Sequence, residues 1–360
     1  MELLMPGAVL QERYHIEKVL YKGNCGGVYK AKDTRFPGRC WAVREIVLQP
    51  QAQDLQSAVN KRFMALVKQL SLFDYAALPK IIDYFVCGLR LYIVTEYIDA
   101  QSLDDIFRKI TIPFSEKQTI LLGLQLVDLL MYLYNKREQI LICPDLKLTN
   151  LLVTARGEVK LVDLGLPCIV LEDNVMPAKI VSIGYGAPEL YDDNGNISEQ
   201  SDIYSIGVVM HQMLTHRNPQ DEPFAFPPVS ELNPFVSSGT SLLVSKALAS
   251  SRRDRFESFA HFGRELRQRL EAVKTGLDLP PIAKLSKPKR FFIWPVSISK
   301  KKNIAVTQKN SHDFWDGSDI PWGVKEQGMS WQQAVWWGIL ITVLSGLSFL
   351  GVYIWHLFKR

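Results

Sequence analysis

The run Asp145-Leu-Lys147-Leu-Thr-Asn150, followed by Asp163-Leu164-Gly165, constrains the fold of this 360-residue chain more than any other stretch. An acid, a lysine two residues on and an asparagine five residues on can offer a proton acceptor, a phosphate contact and a metal ligand from one loop. A second acid, on the next hairpin, can reach the same metal. Together these residue types are the minimum that in-line phosphoryl transfer from Mg-ATP requires. In the bland alternative Asp145 and Asn150 merely cap a turn, which leaves the Asp163 hairpin without a reason.

The surrounding pattern divides the chain. From Arg13 to about Ile98 it is strand-rich: Tyr14 to Leu20 runs into a Gly-rich turn, Val28 to Ala31 leaves it, and Trp41 to Ile46 makes another strand. One helix interrupts, because Leu55, Val59, Phe63, Leu66 and Leu70 recur at three- and four-residue spacing and so share a face. From Ser102 onward helices are expected, the longest early one over Glu116 to Tyr134. Lys274 to Ser330 is rich in Pro, Lys, Ser and Asn and reads as a linker, with basic residues at Lys284, Lys287, Lys289, Arg290, Lys300, Lys301 and Lys302. Val335 to Trp355 carries no charge. As a helix it is about 30 Å long, enough to cross a bilayer. Trp336, Trp337, Tyr353 and Trp355 stand near its ends, where amphipathic rings prefer the headgroup zone.

Composition narrows the partners. A net charge of +5, with many of the cations inside the linker, gives no general nucleic-acid surface, and none is expected as a partner. Five scattered cysteines without C-x-x-C spacing predict reduced thiols, with no disulfide frame or zinc site. The start, Met1 to Pro6, lacks the pattern of a secretory signal.

With the lead-in Pro6-Gly7-Ala-Val-Leu10-Gln-Glu-Arg13-Tyr14-His-Ile16 and the later Ala187-Pro188-Glu189, the ordered set resembles the eukaryotic-like protein kinase family in its bacterial Ser/Thr branch. The resemblance covers about residues 7 to 272. It implies an α+β, bilobal protein-kinase-like fold: a domain over 1–272 with a β-rich N-lobe (about 13–98) and an α-rich C-lobe (about 99–272). A basic linker over 273–330 and one transmembrane helix over 331–358 would follow, with no sensor domain beyond the span. The resemblance also implies ATP and Mg²⁺, or Mn²⁺, as cofactors. Asp145 would orient a substrate hydroxyl and accept its proton, Lys147 would neutralise the transferred group, and Asn150 and Asp163 would hold the metal. Gly23 and Gly26 belong to the phosphate loop, where absent side chains let backbone N–H groups approach phosphate oxygens. Val28, Ala42 and Leu152 would enclose adenine. Glu96-Tyr97-Ile98 resembles the hinge that binds the adenine edge, in front of Thr95. Arg255 would pair with Glu189, and Asp202 to Gly207 resembles the buried helix beneath the catalytic loop.

The chain departs from the family at defined places. Tyr21 replaces the first glycine of the phosphate loop. Arg44 replaces the phosphate-gripping lysine, keeping the charge but changing a compact ammonium into a planar fork. The helix acid that holds that lysine falls at Leu66, and no Glu occurs between Ile46 and Thr95. Cys143-Pro144 stands where His-Arg is usual, and Leu166 to Val181 contains no Ser, Thr or Tyr, so phosphorylation of that segment is not expected to regulate the protein. The expected function is a membrane-anchored Ser/Thr protein kinase-like activity, weakened, on an unidentified protein substrate or signalling partner. The alternative is an inactive pseudokinase that binds nucleotide or serves as a scaffold. The kinase-like domain is expected on the cytoplasmic side of a single-pass cell-membrane protein, with an anionic-lipid contact through the linker.

Overall fold

Alternation of apolar and polar residues through the first hundred positions sets the architecture of the N-lobe. The computed structural model describes residues 3–23, 25–48, 56–136, 145–165, 182–192 and 198–275. Six strands, β1 (Val9–Leu10), β2 (Tyr14–Gly23), β3 (Gly26–Asp33), β4 (Cys40–Val47), β5 (Ile81–Cys87) and β6 (Arg90–Glu96), form one antiparallel sheet in the order β1-β2-β3-β4-β6-β5. Period two places Ala42 and Arg44 on one face of β4 and Trp41, Val43 and Glu45 on the other. The register sets Arg44 between Val28 and Ile93, and Ala42 beside Thr95. The expected helix is α1 (Gln56–Leu70), which buries Val59, Phe63, Leu66, Val67 and Leu70 against the sheet. Leu55 lies outside the described residues.

Capping residues mark where the helices of the C-lobe begin. Ser102 caps α2 (Leu103–Lys109), and Ser115 with Gln118 makes a capping box for α3 (Glu116–Tyr134), the helix expected from the sequence. Ser198 starts α4 (Glu199–Thr215), which is buried along almost its whole length. A helix so enclosed needs close approach: a Cβ on Gly207 would lie 3.0 Å from that of Ala247 in the neighbouring helix. The short α5 (Val229–Leu232), then α6 (Ser238–Ala247) and α7 (Phe259–Thr275), complete the helical layer. The last helix runs three residues past the expected domain limit of 272. A small sheet, β7 (Gln101–Ser102), β8 (Leu151–Val153) and β9 (Val159–Leu161), lies in that order at the junction of the lobes. Among the described residues no helix is long and apolar enough to cross a membrane; the span expected over 331–358 lies outside them, as does the linker from 276.

Candidate active site

The β8–β9 hairpin brings the loop acid and the hairpin acid together. Leu151 pairs with Leu161, and Val162 N–H donates to Asn150 C=O at 3.0 Å, so Asn150 and Asp163 stand across the base of one hairpin. A 3₁₀ turn, Leu148–Asn150, folds Asn150 back on the loop, where its Nδ2 donates to the Asp145 carbonyl at 2.9 Å and to Asp145 Oδ2 at 3.3 Å. Asp145 is buried, and its carboxylate is fixed from several sides. Ser182 donates its N–H to Oδ1 at 2.9 Å and its hydroxyl to Oδ2 at 3.0 Å. Lys147 Nζ lies 2.6 Å from Oδ2 and donates to Ser182 Oγ at 2.9 Å.

Above this floor is a cavity of about 620 Å³, within the usual range for a small-molecule site. Val28, Ala42, Glu96, Ile98 and Leu152 all line it, together with Arg44, Lys147, Asn150 and Asp163. The cavity continues behind Thr95 between Leu70, Phe73 and Leu78. Gly23 and Gly26 face each other at the tip of the β2–β3 hairpin and are not on the cavity wall. Asp145 is likewise off the wall, reaching it through Lys147 and Asn150.

The departures take physical form here. Leu66 is 7% exposed on the apolar face of α1, so the helix offers no carboxylate at that position. Arg44 instead crosses to the C-lobe. Its Nη1 lies 2.9 Å from Asp163 Oδ2, and its Nη2 donates to the Val162 carbonyl at 3.3 Å. Asp163 Oδ1 accepts from Gly165 N–H at 3.0 Å. Tyr21 stands half exposed on the cavity wall, its ring edge folded toward Gly23. Leu164 also lines the cavity. Cys143-Pro144 and Leu166 to Val181 lie outside the described residues.

The donor set suits a divalent cation completed by substrate. Among the described residues no cluster of three or more His, Cys, Asp or Glu side chains forms a closed cage. One carboxylate and one amide, Asp163 and Asn150, are what Mg²⁺ uses when phosphate oxygens and water fill its remaining positions. Thr149 Oγ1, on the cavity-lining Thr149, is buried without a hydrogen-bond partner, a further polar group available to a ligand.

Beneath the site, Glu189 anchors the substrate side. Arg255, buried, holds it as a fork at 2.7 and 2.8 Å, as expected. Arg252 Nε at 3.1 Å and Ser201 Oγ at 3.1 Å add to it. Burial pushes the Glu189 carboxyl up, but the Arg255 fork and Ser201 outweigh this and hold it below the usual carboxylate range. Sequence reasoning missed Arg252; its signal is only its place three residues before Arg255. It also missed Asp104, Asp105 and Arg108, which α2 brings to the cavity rim.

Comparison with known proteins agrees with this geometry. The family described as "Protein kinase domain" matches residues 14–225. The chain is 25% identical to the probable serine/threonine-protein kinase PknB of Lactococcus lactis, over 77% of this chain and 44% of that one. It is 31% identical to the probable serine/threonine-protein kinase PBL26 of Arabidopsis thaliana, over 60% of this chain and 53% of that one. The chain thus spans about half the length of these curated relatives. Among solved structures, the PknI kinase domain of Mycobacterium tuberculosis superposes with a TM-score of 0.56 at 18% identity, covering 74% of this chain and 100% of that one. PpkA-294 in its apo form superposes at 0.58 and 19% identity, covering 73% and 99%. Those two share the bilobal fold. By the family match and the Ser/Thr kinases among its relatives, the chain belongs to the protein kinase family of phosphotransferases.

Proposed function

We propose that this chain is a membrane-anchored serine/threonine protein kinase that transfers the γ-phosphoryl group of ATP to Ser or Thr hydroxyls of proteins, at a reduced rate. The observation that carries the reading is the convergence of Lys147, Asn150 and Asp163 at one end of the cavity, with Asp145 bonded to Lys147 and Asn150 just off its wall. Asp145 would orient the substrate hydroxyl and take its proton, its carboxylate being held in place by Ser182 and Asn150. Lys147, held between Asp145 and Ser182, would carry charge from the transferred group. Asn150 and Asp163 would hold Mg²⁺, which when bound neutralises phosphate charge. A Lys beside the catalytic acid fits hydroxyl rather than phenol substrates by family resemblance.

The weakness lies in Arg44. Its guanidinium is engaged by Asp163, and no helix acid draws it away. Loss of one preorganised electrostatic contact typically costs about 10²- to 10³-fold in rate. The same observation favours a second reading, a pseudokinase that binds nucleotide and signals by conformation. A radiolabelled ATP assay with Mg²⁺ or Mn²⁺, wild type beside Asp145→Asn, separates the two. Slow incorporation abolished by Asp145→Asn supports the enzyme; equal counts from both proteins reject it.

Membrane attachment rests on the uncharged run Val335 to Trp355, and the cytoplasmic side on the need for ATP and reduced thiols. The basic linker with Phe291, Phe292 and Trp294 suits an anionic leaflet, where each cation contributes about 1 kcal/mol, screened by salt.

A further inference from the structure

Strand β4 carries a second ionic group, this one buried, on the face opposite Arg44. Trp41, Val43, Tyr29 and Tyr92 belong to an apolar layer on which Leu3 and Leu4 pack. Glu45 shares that face, and its carboxylate is 0% exposed. A carboxylate in such a layer is costly unless every lone pair is used. Tyr29 Oη donates to Oε2 at 2.7 Å, Tyr92 Oη to Oε1 at 2.9 Å, and Arg90 Nη1 to Oε1 at 2.5 Å. Tyr29 Oη in turn accepts from Leu4 N–H at 3.2 Å. Burial and the Glu45 carboxylate together push the Tyr29 phenol up to about 12, so it stays a donor.

A strand that only had to pack would do as well with an apolar residue here, since buried ion pairs add little net stability. What the network touches supplies a reason. Gly26, at φ +151°, lies directly on the Glu45 peptide, and a Cβ there would fall on the Glu45 carbonyl oxygen. A Cβ on Gly27 would lie 2.7 Å from Tyr29 Oη and 3.1 Å from Leu3 Cδ2. Val47 N–H donates to Cys25 C=O at 2.7 Å, extending the ladder to the loop tip. Gly26 thus rests on the main chain of Glu45, and Gly27 on Leu3 and on the Tyr29 hydroxyl that the Glu45 carboxylate holds.

We propose that Glu45 is a positioning residue: with Tyr29 and Leu3–Leu4 it clamps the phosphate loop and Arg44 from the outer face of the sheet, in place of the helix acid that Leu66 replaces. The inference rests on the reading of the cavity as a nucleotide site. The helix acid would hold a phosphate-binding cation by its side chain. Glu45 acts on the backbone of the preceding residue, Arg44, and on the loop that pairs with it, Val28 lying opposite Arg44.

The test uses the full-length chain, with Glu45→Gln and the milder Tyr29→Phe, which removes only the hydroxyl joining Leu4 to Glu45. Hydrogen exchange is followed in the free protein, and calorimetry compares ADP with adenosine. In Glu45→Gln the amides of Cys25 to Val28 and Arg44 to Val47 should exchange at least about tenfold faster, with β5 unchanged. ADP affinity should fall by about tenfold, the usual cost of losing an outer-shell support, while adenosine affinity holds. Tyr29→Phe should move both in the same direction by less, and it decides the matter if Glu45→Gln does not fold. Unchanged loop exchange, or equal loss of ADP and adenosine affinity, overturns the proposal and leaves Glu45 a stabilising residue of the lobe. A wild type that binds ADP no more tightly than adenosine overturns the nucleotide reading itself, and the role of Glu45 with it.

Discussion

Replacing Arg44 by Lys and Leu66 by Glu together tests whether the missing helix acid limits the chemistry. Arg44 now sits 2.9 Å from Asp163, with the two side chains 19% and 17% exposed. At an effective dielectric of about 20 the bare attraction at that distance is roughly 6 kcal/mol, most of it offset by desolvation. Arg44→Lys alone leaves the cation with the same single carboxylate and should change kcat/KM little. Leu66→Glu alone removes a side chain that is 7% exposed and puts a carboxylate in its place. Lost burial of about 1.5–3 kcal/mol, plus an incompletely paired charge, should lower stability by about 3–5 kcal/mol. At about 2–4 °C per kcal/mol for a domain of this size, that lowers Tm by about 10 °C. In the double variant the introduced pair should recover about 0.5–3 kcal/mol of that loss as coupling energy. It should also raise kcat/KM above wild type by about tenfold or more, part of the 10²–10³ that one preorganised contact supplies. Initial rates with labelled ATP, beside thermal melts of all four proteins, give both numbers. A double variant that melts cooperatively, shows no coupling and is no faster than wild type would refute the placement of Leu66 at the helix-acid position.

Four further outcomes are expected. Arg255→Ala should cost about 2–4 kcal/mol by leaving the partly buried Glu189 with weaker partners, read as a lower urea midpoint; a change under about 1 kcal/mol would contradict the anchoring role. Asp33 is held at about 2, first by the Arg13 hydrogen bond and then by Trp41, against burial, which raises it. Its contribution is present above the unfolded carboxylate value and is lost as pH falls through about 2, so the stability gap between wild type and Asp33→Asn should narrow from pH 6 to pH 3; a constant gap contradicts the pairing. ATP should stabilise the protein thermally in a Mg²⁺-dependent way that shrinks in Asp163→Ala; no shift at millimolar nucleotide would favour a scaffold. Protease outside right-side-out vesicles should leave the kinase domain intact, and carbonate should not release it; digestion from outside would reject the topology.

Much of the site was legible because its parts lie close in sequence. Asp145, Lys147 and Asn150 share one loop, and Asp163 follows on the next hairpin, so short-range spacing forces them together. Strand alternation placed Ala42 and Arg44 on one face for the same reason. Contacts that join distant segments were not legible. Arg44 reaches Asp163 across 119 positions of chain, and Glu45 meets Arg90 across 45. Glu45 follows the strand's functional residue and reads as an ordinary solvent-facing charge, since alternation assigns a face without saying what covers it. The cover is the N-terminal segment, whose Leu3 and Leu4 show no periodicity of their own. Arg252 was hidden beside the expected Arg255, because a fork to one carboxylate gives no sign of a second donor.

The departures belong together rather than being independent losses. Once Leu66 completes the apolar face of α1, no helix carboxylate remains to hold a compact ammonium in place. An arginine depends less on that one carboxylate, because its guanidinium offers several donors in a planar fork and is more weakly hydrated. Arg44 therefore preserves a permanent cation on the cavity wall under the condition that Leu66 creates. Its longer, planar side chain then finds Asp163 and the Val162 carbonyl, which a compact ammonium cannot engage as a fork. The cation is kept but aimed at the C-lobe, so the contact that joins the lobes competes with the one that would grip phosphate. That competition predicts a site that retains nucleotide better than it turns it over. A decayed site, in which the cation had simply been lost, would predict the opposite: Arg44→Ala would leave ADP affinity unchanged, whereas here it should weaken it by about tenfold or more, as removal of a charge-assisted contact does.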